Sequence, residues 1–158
     1  MTADYLDSSA FVKLVVEEPE TDVLRTYLAG RGGRVVSSSL LRTEAIRAVR
    51  HLGPAAIAAA RDGVRRVDLI AIDDRILDTA AVLEPSVVRT LDAIHLATAL
   101  AVGDDLGVVI TFDVRMADGA RRLGLAVESP MPGDLQPGVG ELEAAYVDAW
   151  DEARADRR

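Results

Sequence analysis

Four acidic residues stand at positions where α/β proteins build their sites: Asp7, Glu44, Asp92 and Asp113. Asp7 ends an extended segment and Asp113 directly follows a β-rich run, whereas Glu44 and Asp92 fall in the first turns of helical patterns. Parallel strands all end at one edge of a sheet, and ligands bind at that edge. We therefore expect the four carboxylates to converge there.

A cluster of four carboxylates has a chemical consequence in this chain, whose only lysine is Lys13. Acids that share a site repel one another and raise one another's pKa, so the cluster persists most easily around a hard cation. Mg²⁺, or alternatively Mn²⁺, prefers carboxylate oxygens and keeps several of its waters. The sequence therefore predicts a divalent metal site.

Each acid also has a simpler interpretation. Asp92 could complement a helix dipole, Asp113 could cap a helix, and Glu44 could lie on a solvated helix face. Ser9 and Thr111 are typical caps or strand-end hydrogen bonders, yet they could orient a carboxylate or a metal-bound water. We interpret His95 as a hydrogen-bonded core residue and not as a catalytic base.

The elements that must position these residues alternate along the chain. We predict strands at residues 3–7, 34–37, 67–72, 108–111 and 125–128, and helices at residues 9–17, 21–29, 40–52, 55–65, 73–83, 91–102 and 114–123. Such alternation is typical of a mainly parallel sheet with helices on both faces, a three-layer α/β/α domain. We expect Ser8 or Ser9 to cap the first helix, and Ser38 or Ser39 the third.

A change in composition divides the chain near residue 130. We expect residues 1–130 to form the α/β domain and residues 131–158 to form a Pro/Gly-rich linker followed by an amphipathic helix. That helix packs either on its own domain or on a partner.

Composition narrows the function classes. The absence of cysteine excludes disulfides and thiolate chemistry and fits a cytoplasmic protein, and two histidines exclude a histidine-rich zinc site. We expect neither a secretion signal nor a membrane span. The net charge of −8 argues against nucleic acid, but bound divalent cations would weaken that objection.

Four motifs in order resemble the PIN domain, and within it the VapC-like ribonuclease toxins of type II toxin–antitoxin systems. They are YLDSSAFVKL at residues 5–14, RTE at 42–44, LDAIHLA at 91–97 and TFDVR at 111–115. The resemblance spans about residues 4–130 and implies a PIN-like fold and a metal-dependent endoribonuclease, a hydrolase that acts as the toxin.

The resemblance also implies roles for six residues: Asp7, Ser9, Glu44, Asp92, Thr111 and Asp113. Asp7 and Asp92 are expected to be direct metal ligands, and Asp113 a second-site or water-mediated ligand. Glu44 would be a ligand or a base acting on water, and the two hydroxyls would support the pocket. Water, not the 2′-hydroxyl, attacks phosphorus in such a pocket, so the products should carry 5′-phosphate and 3′-hydroxyl ends.

The implied partners are an RNA substrate, a cognate antitoxin protein and a second copy of the chain in a homodimer. Arg42, Arg89 and Arg115 flank the acidic motifs and could bind RNA phosphates, although surface solubility explains them equally well. The alternative function is a catalytically inactive PIN-like module that binds RNA or protein.

Overall fold

The computed structural model describes residues 2–84 and 88–134. Within them, five strands form one sheet in which every pairing is parallel. The strands are β1 (Ala3–Leu6), β2 (Arg34–Ser38), β3 (Asp68–Ile70), β4 (Leu106–Ile110) and β5 (Val127–Glu128). Their order across the sheet is β3-β2-β1-β4-β5. The predicted α/β class with a parallel sheet is confirmed.

Seven helices connect or follow these strands in the described residues: α1 (Ser8–Val15), α2 (Thr21–Arg31), α3 (Leu41–Val49), α4 (Pro54–Val64), α5 (Asp74–Ala81), α6 (Thr90–Ala101) and α7 (Val114–Arg122). The helix predicted at residues 40–52 is divided into α3 and a 3₁₀ turn at Arg50–Leu52. No helix in the described ranges is long and apolar enough to cross a membrane. The helix predicted after residue 140 lies outside the described residues.

Contacts group the chain into two units. The first unit, Met1–Val16 with Gly33–Ser129, contains the whole sheet and the residues of the site described below. The second unit, Glu17–Gly32 with Pro130–Arg158, contains α2. The division into residues 1–130 and 131–158 stays a prediction, because residues 135–158 are not described.

The core of the first unit lies on the two central strands and α6. Tyr5 and Leu6 of β1 and Val109 and Ile110 of β4 are fully buried. Helix α6 buries Leu96 with its neighbours His95 and Ala97–Ala99, as expected for a central helix. Small and branched side chains fill this core because only 4% of the residues are aromatic.

The strand order creates a crevice between β1 and β4. These strands are neighbours in the sheet although 100 residues of chain separate Leu6 from Leu106, and chain order reverses between them. Leu6 pairs with Ile110, and the Asp7 amide donates to the Ile110 carbonyl at 3.2 Å. Asp7 and Thr111 therefore leave the sheet side by side, at the kind of switch point where α/β proteins bind ligands.

The predicted caps of the first and third helices are wrong. Asp7 itself is the N-cap of α1, because its backbone stays extended (φ −82°, ψ 174°) and its Oδ1 accepts from the Ala10 amide at 2.9 Å. The N-cap of α3 is Leu40, which has no side-chain cap bond. Ser38 contributes only by accepting from the Leu40 amide at 3.3 Å.

Asp73 makes the same cap at α5, where its Oδ1 accepts from the Ile76 amide at 2.9 Å. We expect Asp73→Ala to lower the free energy of unfolding by about 1 kcal/mol, because an orphan amide loses its acceptor. Denaturant unfolding measures this loss. An unchanged midpoint would contradict the cap's contribution, and Asp73→Asn is the matched variant that keeps an acceptor.

Candidate active site

Asp7 is held at the end of β1 by hydrogen bonds to both carboxylate oxygens. Oδ1 accepts from the Ala10 amide at 2.9 Å and from Ser9 Oγ at 2.8 Å, and Oδ2 accepts from Thr111 Oγ1 at 2.7 Å. Only 3% of the residue is exposed. Burial raises the pKa of Asp7, and the bonds from Ala10, Thr111 and Ser9 offset only part of that shift.

Two hydroxyls join the start of α1 to the loop after β4. Thr111 Oγ1, which donates to Asp7, also accepts from the Asp113 amide at 3.1 Å. Ser9 Oγ accepts from the Phe112 amide at 2.9 Å. Ser9 and Thr111 therefore support the Asp7 carboxylate and fix the loop that carries Asp113.

Asp113 caps α7 and keeps part of its carboxylate in solvent. Its Oδ1 accepts from the amides of Arg115 and Met116 at 2.8 and 3.1 Å. Its Oδ2 lies 3.8 Å from Arg115 Nη2, and 33% of its side chain is exposed. The cap interpretation is correct for Asp113, but the cap uses Oδ1 and leaves Oδ2 at the surface of the pocket.

Glu44 of α3 is bonded to His95 of α6. Its Oε2 lies 2.7 Å from His95 Nε2, and 21% of the Glu44 side chain is exposed, so it is not a solvated helix-face residue. Burial alone would raise the pKa of Glu44, but the hydrogen bond and charge of His95, with a further bond from Ser8, hold that pKa below its usual value. Glu44 is therefore a carboxylate at neutral pH.

Asp92, in the first turn of α6, has a carboxylate oxygen for which residues 2–84 and 88–134 offer no hydrogen-bond partner. Its Oδ2 is buried, and no donor in the described part of the chain reaches it. Burial and the negative charge of Asp113 raise the pKa of Asp92, while Arg115, His95 and Arg89 act against that shift. An unsatisfied buried acceptor is costly, and it is the kind of group that a bound cation satisfies.

His95, Thr111 and electrostatic interactions connect the four acids. Glu44 is bonded to His95, Thr111 links Asp7 to Asp113, and Asp92 and Asp113 repel each other. Among residues 2–84 and 88–134, however, no three acidic or histidine side chains stand close enough to hold one ion together. The carboxylate donors are all oxygen atoms, which are the ligands that a hard divalent cation prefers.

The PIN domain family model matches residues 5–122. The chain belongs to the PIN domain family. This PIN domain is 53% identical over 130 residues to Ribonuclease VapC46 of Mycobacterium tuberculosis, with 82% of this chain and 99% of that relative covered. It is 40% identical to Ribonuclease VapC35 and 36% identical to Ribonuclease VapC47 of the same species, with 80% of this chain and 96% of each relative covered. The predicted VapC-like resemblance is confirmed.

The three arginines suggested for RNA binding occupy different surroundings in this PIN domain. Arg115 lies beside Asp113, and Arg115 and Arg89 both act electrostatically on Asp92. Arg42 instead lines a groove with Arg61 of α4 and Arg65, the residue that follows α4. Two residues along a helix are about 200° apart, so Arg42 and Glu44 face opposite flanks of α3.

Tyr5 is a member of the site that the sequence analysis missed. Its Oη lies 2.7 Å from His95 Nδ1, and Tyr5 is completely buried. Side chains alternate along a strand, so Tyr5 leaves β1 on the same side as Asp7. That alternation was the available signal. The interpretation of His95 as a hydrogen-bonded core residue is confirmed by its two bonds and its 2% exposure.

Proposed function

We propose that this PIN domain is a metal-dependent endoribonuclease that hydrolyses RNA phosphodiester bonds and acts as a toxin. The observation that carries the proposal is the buried Oδ2 of Asp92, which has no hydrogen-bond partner among the described residues and whose carboxylate interacts unfavourably with the charge of Asp113. The name ribonuclease, which its relatives carry, supports the same activity.

The acidic pocket consists of Asp7, Glu44, Asp92 and Asp113. Asp7 and Asp92 would be the direct ligands of Mg²⁺, with Mn²⁺ as a substitute, and Asp113 would be a second-site or water-mediated ligand. When bound, such an ion lowers the pKa of water and stabilises charge on phosphate oxygens. Ser9 and Thr111 keep the Asp7 carboxylate oriented.

The remaining steps belong to groups of the chain itself. Glu44 is ionised and partly exposed, so it can be a ligand or accept a proton from the attacking water. Arg89 and Arg115 lie near Asp92 and are suited to bind phosphate oxygens next to the scissile bond. Arg42 faces the other flank of α3 and could contact RNA only away from the cut.

The proposed partners follow from the family resemblance. A cognate antitoxin protein would cover the pocket, and a basic antitoxin side chain entering it could displace the metal. The chain would act in the cytoplasm as a homodimer. The competing function is a PIN-like module that binds RNA or protein without cutting it.

Cleavage of total RNA tests the activity. We expect cutting with Mg²⁺ or Mn²⁺, none with EDTA, and products that end in 5′-phosphate and 3′-hydroxyl groups, because water is the nucleophile. Gel analysis with end mapping measures this. Intact RNA at every metal concentration would favour the binding module, and cutting that persists in EDTA would contradict metal dependence.

A further inference from the structure

We propose that Tyr5 and His95 are positioning residues that fix the Glu44 carboxylate at the acidic pocket. The proposal rests on the proposed function in one respect only, that Glu44 acts in the pocket. Neither Tyr5 nor His95 would touch the substrate, since Tyr5 is completely buried and His95 is 2% exposed.

The three residues and the backbone amide of Ser38 form a continuous hydrogen-bonded chain across four elements. The Ser38 amide of β2 donates to Tyr5 Oη of β1 at 3.1 Å. Tyr5 Oη lies 2.7 Å from His95 Nδ1 of α6, and His95 Nε2 lies 2.7 Å from Glu44 Oε2 of α3. The carboxylate at the pocket is thereby tied to the middle of the sheet.

The direction of the last hydrogen bond follows from the charge of Glu44. An ionised carboxylate only accepts hydrogen bonds, and Glu44 Oε2 lies at hydrogen-bond distance, 2.7 Å, from His95 Nε2. His95 Nε2 must therefore carry a hydrogen and donate it. A phenol both donates and accepts, so Tyr5 can hold Nδ1 in either protonation state of the ring.

This chain of bonds does more than satisfy buried polar atoms, because it ends on a partly exposed side chain. A free glutamate must lose rotamer entropy when it adopts one position. In this fold the bond from His95 fixes Oε2 before any metal binds. The second oxygen of Glu44 takes no part in the Tyr5–His95–Glu44 hydrogen-bonded chain. Mutation of a residue that orients a metal ligand in this way typically lowers metal affinity or activity 10–100-fold.

Nitrogen-15 NMR of histidine side chains tests the hydrogen bond in the metal-free protein. The chain contains two histidines, and exposed His51 is the internal control. We expect a hydrogen on His95 Nε2 that exchanges slowly with water, and faster exchange of that hydrogen in Tyr5→Phe. A bare Nε2 would overturn the proposal, as would equal exchange in Tyr5→Phe and the wild type.

Two substitutions of His95 separate positioning from packing. The amide nitrogen of glutamine reaches the place of Nε2, whereas asparagine reaches only the place of Nδ1. We expect His95→Asn to weaken Mn²⁺ binding and lower kcat by about 10–100-fold with little change in KM, and His95→Gln to restore most of both. Circular dichroism and thermal unfolding verify the fold of each variant, and His51→Gln is the surface control.

The outcomes distinguish this proposal from the proposed function. If wild-type protein cuts no RNA with Mn²⁺, the nuclease function fails, while the NMR and Mn²⁺ titrations still test the Tyr5–His95–Glu44 hydrogen-bonded chain. If the enzyme is active and His95→Asn binds Mn²⁺ and cuts RNA like the wild type, the positioning role of Tyr5 and His95 is overturned and the nuclease function stands. Equal losses in folded His95→Gln and His95→Asn would also overturn that role.

Discussion

Asp92→Asn is expected to lower the rate of RNA cleavage by about 10²–10⁴-fold while the protein stays folded. A metal centre contributes several kcal/mol of transition-state stabilisation, and each 1.36 kcal/mol is a factor of ten in rate. Asp92 holds the carboxylate oxygen that has no donor among the described residues, so its charge is the one most directly available to an ion.

The same substitution is expected to stabilise the metal-free fold by less than about 1 kcal/mol, because a neutral amide removes a poorly satisfied charge whose cost is reduced by solvent around the partly exposed side chain. Burial and Asp113 raise the folded-state pKa of Asp92, so its ionisation opposes folding. The gain from asparagine is therefore full above the folded-state pKa and disappears as the pH falls below the unfolded value of about 3.9.

Single-turnover cleavage with Mg²⁺ measures the first effect of Asp92→Asn, and denaturant unfolding with EDTA at pH 7 and pH 3 measures the second. Asp118→Asn is the matched control, since Asp118 is an exposed acid paired with Arg122 at 2.8 Å. Exposed pairs contribute little, so this control should cut RNA normally. Cleavage by Asp92→Asn within a few-fold of the wild type would remove Asp92 from the mechanism.

Asp7→Asn and Asp7→Ala are both expected to lose cleavage by about 10²–10⁴-fold and to differ in stability by about 1–2 kcal/mol. Both changes remove the negative charge, so the cost of burying that charge cancels between them. Asparagine keeps an oxygen for the Ala10 amide, which Asp7 Oδ1 accepts at 2.9 Å, whereas alanine leaves that amide unsatisfied.

The pair Asp73→Asn and Asp73→Ala is the control for Asp7. Asp73 makes the same cap bond of 2.9 Å at the start of α5. It follows β3, which β2 separates from β1 in the sheet, so Asp73 lies away from the acidic site. We expect a difference of the same sign at both positions, larger at Asp7, because alanine there also removes the acceptor of the Ser9 and Thr111 hydroxyls. Cleavage should be lost only at Asp7. If folded Asp7→Asn cuts RNA like the wild type, Asp7 serves only as a cap.

The sheet and the edge that carries the acids could be predicted because both depend on local pattern. Asp7 follows one strand and Asp113 another, and parallel strands end together. The cap of α1 could not be assigned in this way, since Asp and Ser side chains accept equally well from an orphan amide. The choice depends on a partner far along the chain, because the Asp7 amide pairs with the Ile110 carbonyl.

The Tyr5–His95–Glu44 chain shows a second limit of sequence analysis. Tyr5 and His95 are 90 residues apart, and His95 and Glu44 are 51 residues apart, so no helical or strand spacing relates them. By contrast, the divergence of Arg42 from Glu44 follows from helix geometry alone. It could have been predicted from their two-residue separation.

The hydrogen bond between Asp7 and Thr111 can form only late in the synthesis of the chain. Ribosomes add about 5–20 residues per second, and 104 residues separate the two side chains. The threonine hydroxyl is thus made roughly 5–20 s after the aspartate that it supports. A half-translated chain therefore has no assembled pocket, and the Asp7 carboxylate gains its Thr111 partner only after the fourth strand has left the ribosome.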